Sequence, residues 1–285
     1  MGGTVTTLAF PAPELPQHLY ETDLLTRQDL VWLTTSRGET IPACHVRASR
    51  PPGRGPNMTL LYSHGNGEDL MLQLEYVDAL VENTGCDVFA YDYVGYSVSR
   101  CMGVEASEAG CIRSIDAAWR YCVDRLVLPP QSIVIYGRSI GSGPSVDLAA
   151  RDAVPGSIIS PRDAAGVMLQ SPMASVASAA FGGCKCAIAA AYPLDIFRSY
   201  EKIGRIRTPV AIMHGTDDHV VSVGNGKELH SMLQNPFKPA WVGGHGHNNI
   251  PVDLVCQYIR EFLEALLEEA EAYSQDGRKT TRIEC

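Results

Sequence analysis

Short runs of apolar, often β-branched residues alternate with longer segments in which apolar residues recur every three or four positions. The short runs are typical of strands buried on both faces, and the longer period is typical of amphipathic helices. Alternation of the two predicts an α/β fold with a mostly parallel sheet covered by helices on both faces. Predicted strands cover residues 58–63, 87–91, 132–136, 166–170, 210–214 and 238–242. Predicted helices cover residues 70–83, 105–125, 227–234 and 252–273, and another follows residue 141.

Two further segments flank this alternation. Residues 30–35 and 40–47 read as an antiparallel hairpin around Ser36-Arg37-Gly38-Glu39, which brings the predicted sheet to eight strands. Residues 1–24 carry three prolines and no apolar period, so they predict an extended arm. Residues 274–285 predict a loose polar tail, which leaves one α/β domain over residues 25–273.

Composition narrows the function classes. The formal net charge of −9 disfavours a nucleic-acid partner, because such binding depends on clustered Lys and Arg. No run of eighteen apolar residues and no secretory signal pattern is visible, so we expect a cytoplasmic protein. The nine cysteines are odd in number and scattered, which predicts reduced thiols. Cys184 and Cys186 form a close pair, but no further Cys or His ligands flank them, and we expect no zinc site there.

The sharpest motif is G-x-S-x-G at Gly137, Ser139 and Gly141. It lies between the predicted strand 132–136 and a helix, as a nucleophile elbow does. There the serine has a strained backbone that exposes its Oγ, and the crowded turn favours glycine two residues to either side. We therefore predict Ser139 as a nucleophile.

A serine nucleophile needs a base and a carboxylate that orients the base. In this type of fold they follow later strands in the order serine, acid, histidine. Asp217 and Asp218 follow the strand 210–214, and His245 and His247 follow the strand 238–242. The residues alone leave both pairs undecided. The other histidines are predicted to be solvated or hydrogen-bonded packing residues (His18, His45, His64, His214, His219 and His230).

An oxyanion hole is the remaining requirement. One backbone N–H comes from the residue after the nucleophile, here Ile140, and the other from a loop after an early strand. His64-Gly65-Asn66-Gly67 follows the strand 58–63, and we choose Asn66 as the second donor. No Gly-Lys-Ser/Thr follows this Gly-rich turn, so it does not predict a phosphate loop. Chemistry of this kind needs no metal or organic cofactor.

An ordered set of motifs resembles the α/β-hydrolase domain-containing protein 17 family of protein depalmitoylases. The resemblance covers about residues 60–263. It rests on Ser63-His64-Gly65-Asn66-Gly67, Tyr91-Asp92-Tyr93-Val94-Gly95-Tyr96-Ser97, Tyr136-Gly137-Arg138-Ser139-Ile140-Gly141, Gln170-Ser171-Pro172, His214-Gly215-Thr216-Asp217-Asp218-His219-Val220-Val221 and Gly246-His247-Asn248.

The resemblance implies an α/β-hydrolase fold and selects within both undecided pairs. The family's acid matches Asp218 rather than Asp217, and its histidine matches His247 rather than His245. Two features depart from the family. Its acylated N-terminal cysteine cluster is missing, since no cysteine precedes Cys44, and residues 152–165 read as an insertion, which we expect to lie away from the triad.

The first residues offer another lipidation signal. Met1-Gly2-Gly3-Thr4-Val5-Thr6 matches the acceptor pattern for N-myristoylation at Gly2. One myristoyl chain gives only weak, reversible binding. The expectation is therefore peripheral contact with cytosolic membrane faces.

Taken together, the motifs predict a serine hydrolase that cleaves acyl thioesters or esters, with palmitoyl-protein thioesterase activity as the leading interpretation. Its partner would be an acylated protein or an acyl-ester substrate. The alternatives are a lipid or small-ester carboxylesterase, a serine aminopeptidase-like peptidase and, from a different class, a non-catalytic binding module. Residues 171–200 predict a short cap, whose small apolar side chains either pack on the sheet or line an acyl-binding wall.

Overall fold

The computed structural model describes residues 10–13, 15–49, 57–100, 103–182 and 184–281. Within these ranges one eight-stranded sheet has the order β1-β2-β4-β3-β5-β6-β7-β8. The strands are β1 (Leu30–Thr34), β2 (Thr40–Val46), β3 (Thr59–Ser63), β4 (Asp87–Tyr91), β5 (Ile133–Arg138), β6 (Gly166–Gln170), β7 (Val210–Gly215) and β8 (Ala240–Val242).

The sheet is mostly parallel. The hairpin β1–β2 is antiparallel, and β2 joins the rest through an antiparallel pairing with β4. From β4 to β8 every neighbouring pair is parallel. These findings confirm the predicted fold class. The parallel strands therefore end at one edge, where α/β folds bind their ligands.

Helices cover both faces of the sheet. Within the described ranges, the α-helices of five or more residues are α1 (Leu74–Thr84), α2 (Glu108–Arg120), α3 (Ser142–Ala149), α4 (Val176–Ala180), α5 (Lys185–Ala191), α6 (Val223–Ser231) and α7 (Val252–Thr281). Successive side chains of a strand point to opposite faces. Leu61 of β3 accordingly joins the core beneath α2 and α3, whereas Leu60 and Tyr62 join the core beneath α1 and α7.

Several element bounds differ from those predicted. Strands β4 and β6 have the predicted bounds, but α1 begins at Leu74 rather than residue 70. Asp69 Oδ1 accepts the Leu72 N–H at 3.0 Å and so stabilises a turn there. Helix α6 starts before residue 227 because Ser222 caps it by accepting the Gly224 N–H. Helix α2 ends at Arg120 and continues as a π-helical turn, Tyr121–Arg125.

The N-terminal segment is not a purely extended arm. Gln17–Leu19 and Tyr20–Leu24 are helical, and the side chains of Tyr20 and Leu24 are buried in the core beneath α1. The Tyr20 hydroxyl donates to Asp69 Oδ2 at 2.6 Å. The predicted boundary at residue 24 therefore falls within packed structure, since prolines before residue 17 do not prevent a short helix after them. Gly2 lies outside the described residues.

The C-terminal boundary also differs. Helix α7 continues past the predicted end at Tyr273 to Thr281. No proline interrupts residues 274–281, and extending an existing helix costs far less than starting one. Residues 282–285 of the predicted tail lie outside the described residues.

The predicted insertion and cap lie at opposite edges of the sheet. Residues 152–165 connect the end of α3 to the start of β6, and the carbonyl of Ile159 accepts the Trp119 indole N–H at 3.3 Å. The insertion is therefore distant from the carboxyl ends of the strands. Residues 171–200 follow β6 at the carboxyl edge and contain α4 and α5.

Candidate active site

Ser139 begins the turn between β5 and α3 with a positive φ of 52°. Positive φ is uncommon for a residue other than glycine and strains the backbone. The flanking positions are crowded. A Cβ on Gly137 would lie 2.6 Å from the Gly141 carbonyl oxygen, and one on Gly141 would lie 2.2 Å from the Ser63 carbonyl oxygen. Only glycine fits at either position, so the backbone holds Ser139 at the carboxyl end of β5.

Ser139, His247 and Asp218 form a continuous hydrogen-bonded chain. His247 Nε2 is 2.8 Å from Ser139 Oγ, and His247 Nδ1 is 2.7 Å from Asp218 Oδ2. An ionised carboxylate only accepts hydrogen bonds, so Nδ1 carries the proton that is donated to Asp218. Nε2 is then free to accept a proton from the Ser139 hydroxyl. The structure thus brings together the three residues that the sequence analysis selected.

The side chain of Asp218 is fully buried, and both of its oxygens accept hydrogen bonds. Its Oδ1 accepts the N–H groups of Val220 and Val221 at 2.9 and 2.8 Å. Burial would raise the pKa of this carboxyl, but hydrogen bonds from His214, His247 and Val221 outweigh burial and lower the pKa below its ordinary value. Asp218 is therefore fixed in its charged form.

His214, which the sequence analysis assigned to packing, contacts the acid directly. Its Nε2 is 3.1 Å from Asp218 Oδ2 and 2.8 Å from the Val221 carbonyl oxygen. Both partners are acceptors, so Nε2 donates to them. Its buried Nδ1 has no hydrogen-bond partner among the described residues, so the contacts of the ring with the acid loop run through Nε2. The signal that could have indicated this role is its position at the end of β7, directly before the acid loop.

Asp217 and His245, the alternatives within the two pairs, are hydrogen-bonded to other groups. Asp217 is exposed, and its carboxylate accepts the Thr216 hydroxyl at 2.8 Å. His245 Nδ1 is 2.8 Å from the Gly243 carbonyl oxygen within its own loop. Each side chain is hydrogen-bonded within its own loop, so the geometry agrees with the choice of Asp218 and His247.

The loop after β3 packs against the nucleophile turn. A Cβ on Gly65 would lie 3.8 Å from Ser139 Cβ, and the Asn66 side chain accepts the Tyr96 hydroxyl at 2.8 Å. Ile140 is buried in the turn that follows Ser139. Asn66 and Ile140 are therefore carried by two segments that meet at Ser139, which is the arrangement an oxyanion hole requires.

Buried hydrogen bonds hold the loop after β3 in place. His64 Nδ1 is 2.8 Å from the Gly65 carbonyl oxygen, and its Nε2 is 3.1 Å from Asp92 Oδ1. The Tyr93 hydroxyl donates to the His64 carbonyl oxygen at 2.7 Å. Asp69 follows the same loop, and burial and the nearby carboxylate of Asp92 raise the pKa of Asp69. The predicted packing role of His64 therefore includes fixing the loop that carries Asn66.

A cavity of about 620 Å³ lies between the cap and the start of α6, which follows the acid loop. Hydrogen bonds join the cap to the nucleophile turn on one side and to α6 on the other. Ser142 Oγ donates to the Ser139 carbonyl oxygen and accepts the Met173 N–H, and Asn225 Oδ1 accepts the Ala174 N–H. The cavity is lined by Ser178, Gly182, Ile188, Ala189, Tyr192, Tyr200, Ser222, Gly224, Asn225 and Glu228.

One part of the cap packs in the core, and another part lines the cavity. Ala174 is buried in the core beneath α2 and α3, and Ala177 is also buried, whereas Ile188 and Ala189 line the cavity. In the described part of the chain, no three His, Cys, Asp or Glu side chains are grouped so that they could hold a metal ion. No helix of the described ranges is both long and apolar enough to cross a membrane.

Comparison with known proteins identifies the family. Over 237 residues, the chain is 38% identical to alpha/beta hydrolase domain-containing protein 17B of Xenopus tropicalis, covering 82% of this chain and 74% of that protein. The human 17B protein is 37% identical with the same coverage. The chain belongs to the alpha/beta hydrolase domain-containing protein 17 family. The resemblance inferred from the motifs is thus confirmed, although no family model matches the chain.

Solved structures agree on the fold. An esterase from Pyrococcus furiosus has a TM-score of 0.62 at 13% identity, covering 90% of this chain and 96% of the esterase. At that identity the likeness shows the shared α/β-hydrolase fold alone. Membership of the family and the fold together make this chain an α/β hydrolase.

Proposed function

We propose that this member of the alpha/beta hydrolase domain-containing protein 17 family is a serine hydrolase that cleaves acyl thioesters, with palmitoylated proteins as its substrate class. The observation that carries the proposal is the chain of contacts from Ser139 Oγ through His247 to Asp218, at 2.8 and 2.7 Å. Contacts of this length put the nucleophile, the base and the orienting carboxylate within reach of one another.

In the reaction, Ser139 Oγ attacks the acyl carbonyl carbon while His247 Nε2 takes the hydroxyl proton. The carbonyl oxygen becomes an oxyanion, which the backbone N–H groups of Asn66 and Ile140 stabilise. Collapse of this intermediate breaks the bond to the leaving group, and His247 returns the proton to the departing sulfur or oxygen. Water then attacks the acyl-enzyme by the same route, and the free acid leaves. Asp218 holds the imidazole in the required tautomer throughout.

The choice of an acyl substrate rests on the cap and on the motif resemblance to protein depalmitoylases. The cavity of about 620 Å³ is within the usual range for pockets that bind organic ligands, and Ile188, Ala189 and Tyr192 give it apolar walls. Helix α5 is short and half-exposed, so the cap leaves room for a substrate as large as a protein.

A substrate panel tests the proposal. The purified protein is assayed with thioesters of increasing acyl length, matched oxygen esters and aminoacyl amides. We expect the highest kcat/KM for a long-chain thioester. A preference for short oxygen esters would favour a carboxylesterase, and a preference for aminoacyl amides would favour a peptidase. Binding without turnover of any of them would favour a non-catalytic module.

The proposed localisation is cytoplasmic, with peripheral attachment to membranes through a myristoyl group on Gly2. The support is the N-terminal acceptor pattern. Residues 1–26 contain no Cys, Lys or Arg that would add a second membrane signal there, so attachment should be weak. Gly2→Ala should move the membrane-bound fraction into the soluble fraction. An unmodified N-terminus on protein from its native cell would contradict this proposal.

A further inference from the structure

Arg138 is the last residue of β5 and directly precedes Ser139. Its side chain is only 13% exposed, and its guanidinium contacts two other loops. Nη1 donates to both oxygens of Glu68, at 3.0 and 2.8 Å. Nη2 donates to Asn248 Oδ1 at 3.2 Å. One side chain therefore joins segments that are far apart in the sequence.

Both partners of Arg138 are close in sequence to residues of the proposed catalytic machinery. Glu68 follows Asn66 by two residues, and Asn248 directly follows His247. The guanidinium thus links the nucleophile turn, the oxyanion loop and the histidine loop. Glu68 lies close to the centre of the site, since a Cβ on Gly65 would be 2.9 Å from its Oε2. Gly65 therefore leaves the space through which Glu68 reaches Arg138.

The orientation of Arg138 is itself constrained. Its guanidinium carbon lies 5.7 Å from the centre of the Tyr76 ring, within the range of a cation–π contact. The Tyr76 hydroxyl is hydrogen-bonded to the Tyr136 hydroxyl at 2.7 Å and to Gln170 Oε1 at 3.0 Å. Arg138 is held between this buried network and Glu68, which neutralises its charge. It is therefore placed to support the loops rather than to bind an anionic substrate.

We propose that Arg138 is a positioning residue, which holds the loops of Asn66 and His247 in register with Ser139 through its contacts with Glu68 and Asn248. This inference rests on the triad chemistry of the proposed function. Small displacements matter there, because a misplacement of about 1 Å can cost on the order of 100-fold in rate. Arginine suits the role, because its planar fork can hold a carboxylate and an amide at once, whereas lysine is a single point charge.

The test compares Arg138→Met, Arg138→Lys, Glu68→Gln and the double variant Arg138→Met/Glu68→Gln. We expect kcat for a soluble ester to fall about 10- to 100-fold in Arg138→Met, with a change in KM below about threefold. Arg138→Lys should recover part of the loss. The double variant should be no slower than Arg138→Met alone, because Arg138→Met has already removed the contact between Arg138 and Glu68.

The chain offers a matched control. Arg113 and Glu39 form a similarly buried pair, with side chains 14% and 16% exposed and Arg113 Nη2 2.5 Å from Glu39 Oε1. This pair joins α2 to the β1–β2 turn and touches no catalytic loop. Arg113→Met should therefore keep kcat within about twofold, even if both variants lose similar amounts of thermal stability.

The rate of fluorophosphonate labelling separates this inference from the proposed function. If the wild-type protein is not labelled at Ser139, the serine-hydrolase proposal fails. If the wild type is labelled and Arg138→Met reacts equally fast, the positioning role is overturned. An effect on KM alone, or an equal loss of kcat in Arg113→Met, would also overturn it. Should Arg138→Met fail to fold, Asn248→Ala and Glu68→Gln test the same contacts.

Discussion

The acid loop and the cap lie at the same edge of the sheet but are built in opposite ways. Asp218 is fully buried and receives hydrogen bonds from two imidazoles and two backbone N–H groups. The outer part of the cap, residues 184–194, is thin: its described side chains are exposed or half-buried, and Tyr192 and Leu194 are among the exposed apolar residues.

The contrast separates chemistry from substrate contact. A fully hydrogen-bonded carboxylate in a buried site is rigid, because any shift would leave polar groups unpaired. Substitutions in a half-exposed helix of small residues such as α5 change the free energy of unfolding little. We therefore expect substitutions in the acid and histidine loops to change turnover for every substrate, and substitutions in the cap to change which substrates are accepted.

The largest effect should come from the base. His247→Ala removes the proton acceptor for Ser139, and we expect kcat to fall by about 10⁶-fold, as loss of the base can in serine proteases. His245→Ala is the matched control, because the His245 ring is hydrogen-bonded to the Gly243 carbonyl oxygen of its own loop. Steady-state kinetics on one ester substrate decide the matter. Greater damage in His245→Ala would assign the base to the wrong histidine.

Asp218→Asn should have the next largest effect. An amide in place of the carboxylate favours the wrong imidazole tautomer, and we expect kcat to fall about 10⁴-fold. Asp217→Asn changes the exposed neighbour and should retain most of the activity. Equal losses in the two variants, measured by kcat at saturating substrate, would contradict the assignment of the acid.

A smaller and selective effect is expected in the cap. Ala189→Trp places a bulky ring in the cavity, so kcat/KM for a long-chain thioester should fall about tenfold while a short-chain ester is little affected. Ala190→Trp is the control, because Ala190 is exposed and does not line the cavity. If Ala189→Trp slows both substrates alike, the cavity does not select for acyl length.

The smallest effect concerns stability against pH. The pKa of Asp218 is lowered in the folded state, so its charge stabilises the fold above the pKa of an unfolded Asp, about 3.9. This contribution is lost as the pH falls further. The free energy of unfolding should therefore differ most between wild type and Asp218→Asn near neutral pH. The gap should narrow below about pH 4. Urea unfolding at several pH values measures it, and a constant gap would refute the linkage.

Local patterns predicted most of the fold, and the exceptions have physical causes. The sequence shows the bounds of strand β4 directly, because the apolar run of residues 88–91 lies between Asp87 and Asp92. The burial of Tyr20 was not predictable, because its partner Asp69 is 49 positions away. Only the assembled fold brings the two together, so a proline-rich segment without an apolar period was predicted to be an arm.

The residues of the site also fall into two groups: those that the local sequence marks and those that only the fold identifies. Ser139 is marked by local chemistry, since the strain at the turn demands glycine on both sides. Asp217 and Asp218 are adjacent and chemically identical, and only the direction of each side chain in the folded loop distinguishes them. The contact of Arg138 with Glu68 spans 70 positions and that with Asn248 spans 110, so no spacing rule could reveal the link.

Covalent labelling tests the central claim most directly. The wild-type protein is treated with a fluorophosphonate, digested and analysed by mass spectrometry, with folded Ser139→Ala as the control. The account predicts one adduct on Ser139 in the wild type and none in the variant, because only a serine activated by His247 reacts. An adduct on another residue, or equal labelling of Ser139→Ala, would contradict it.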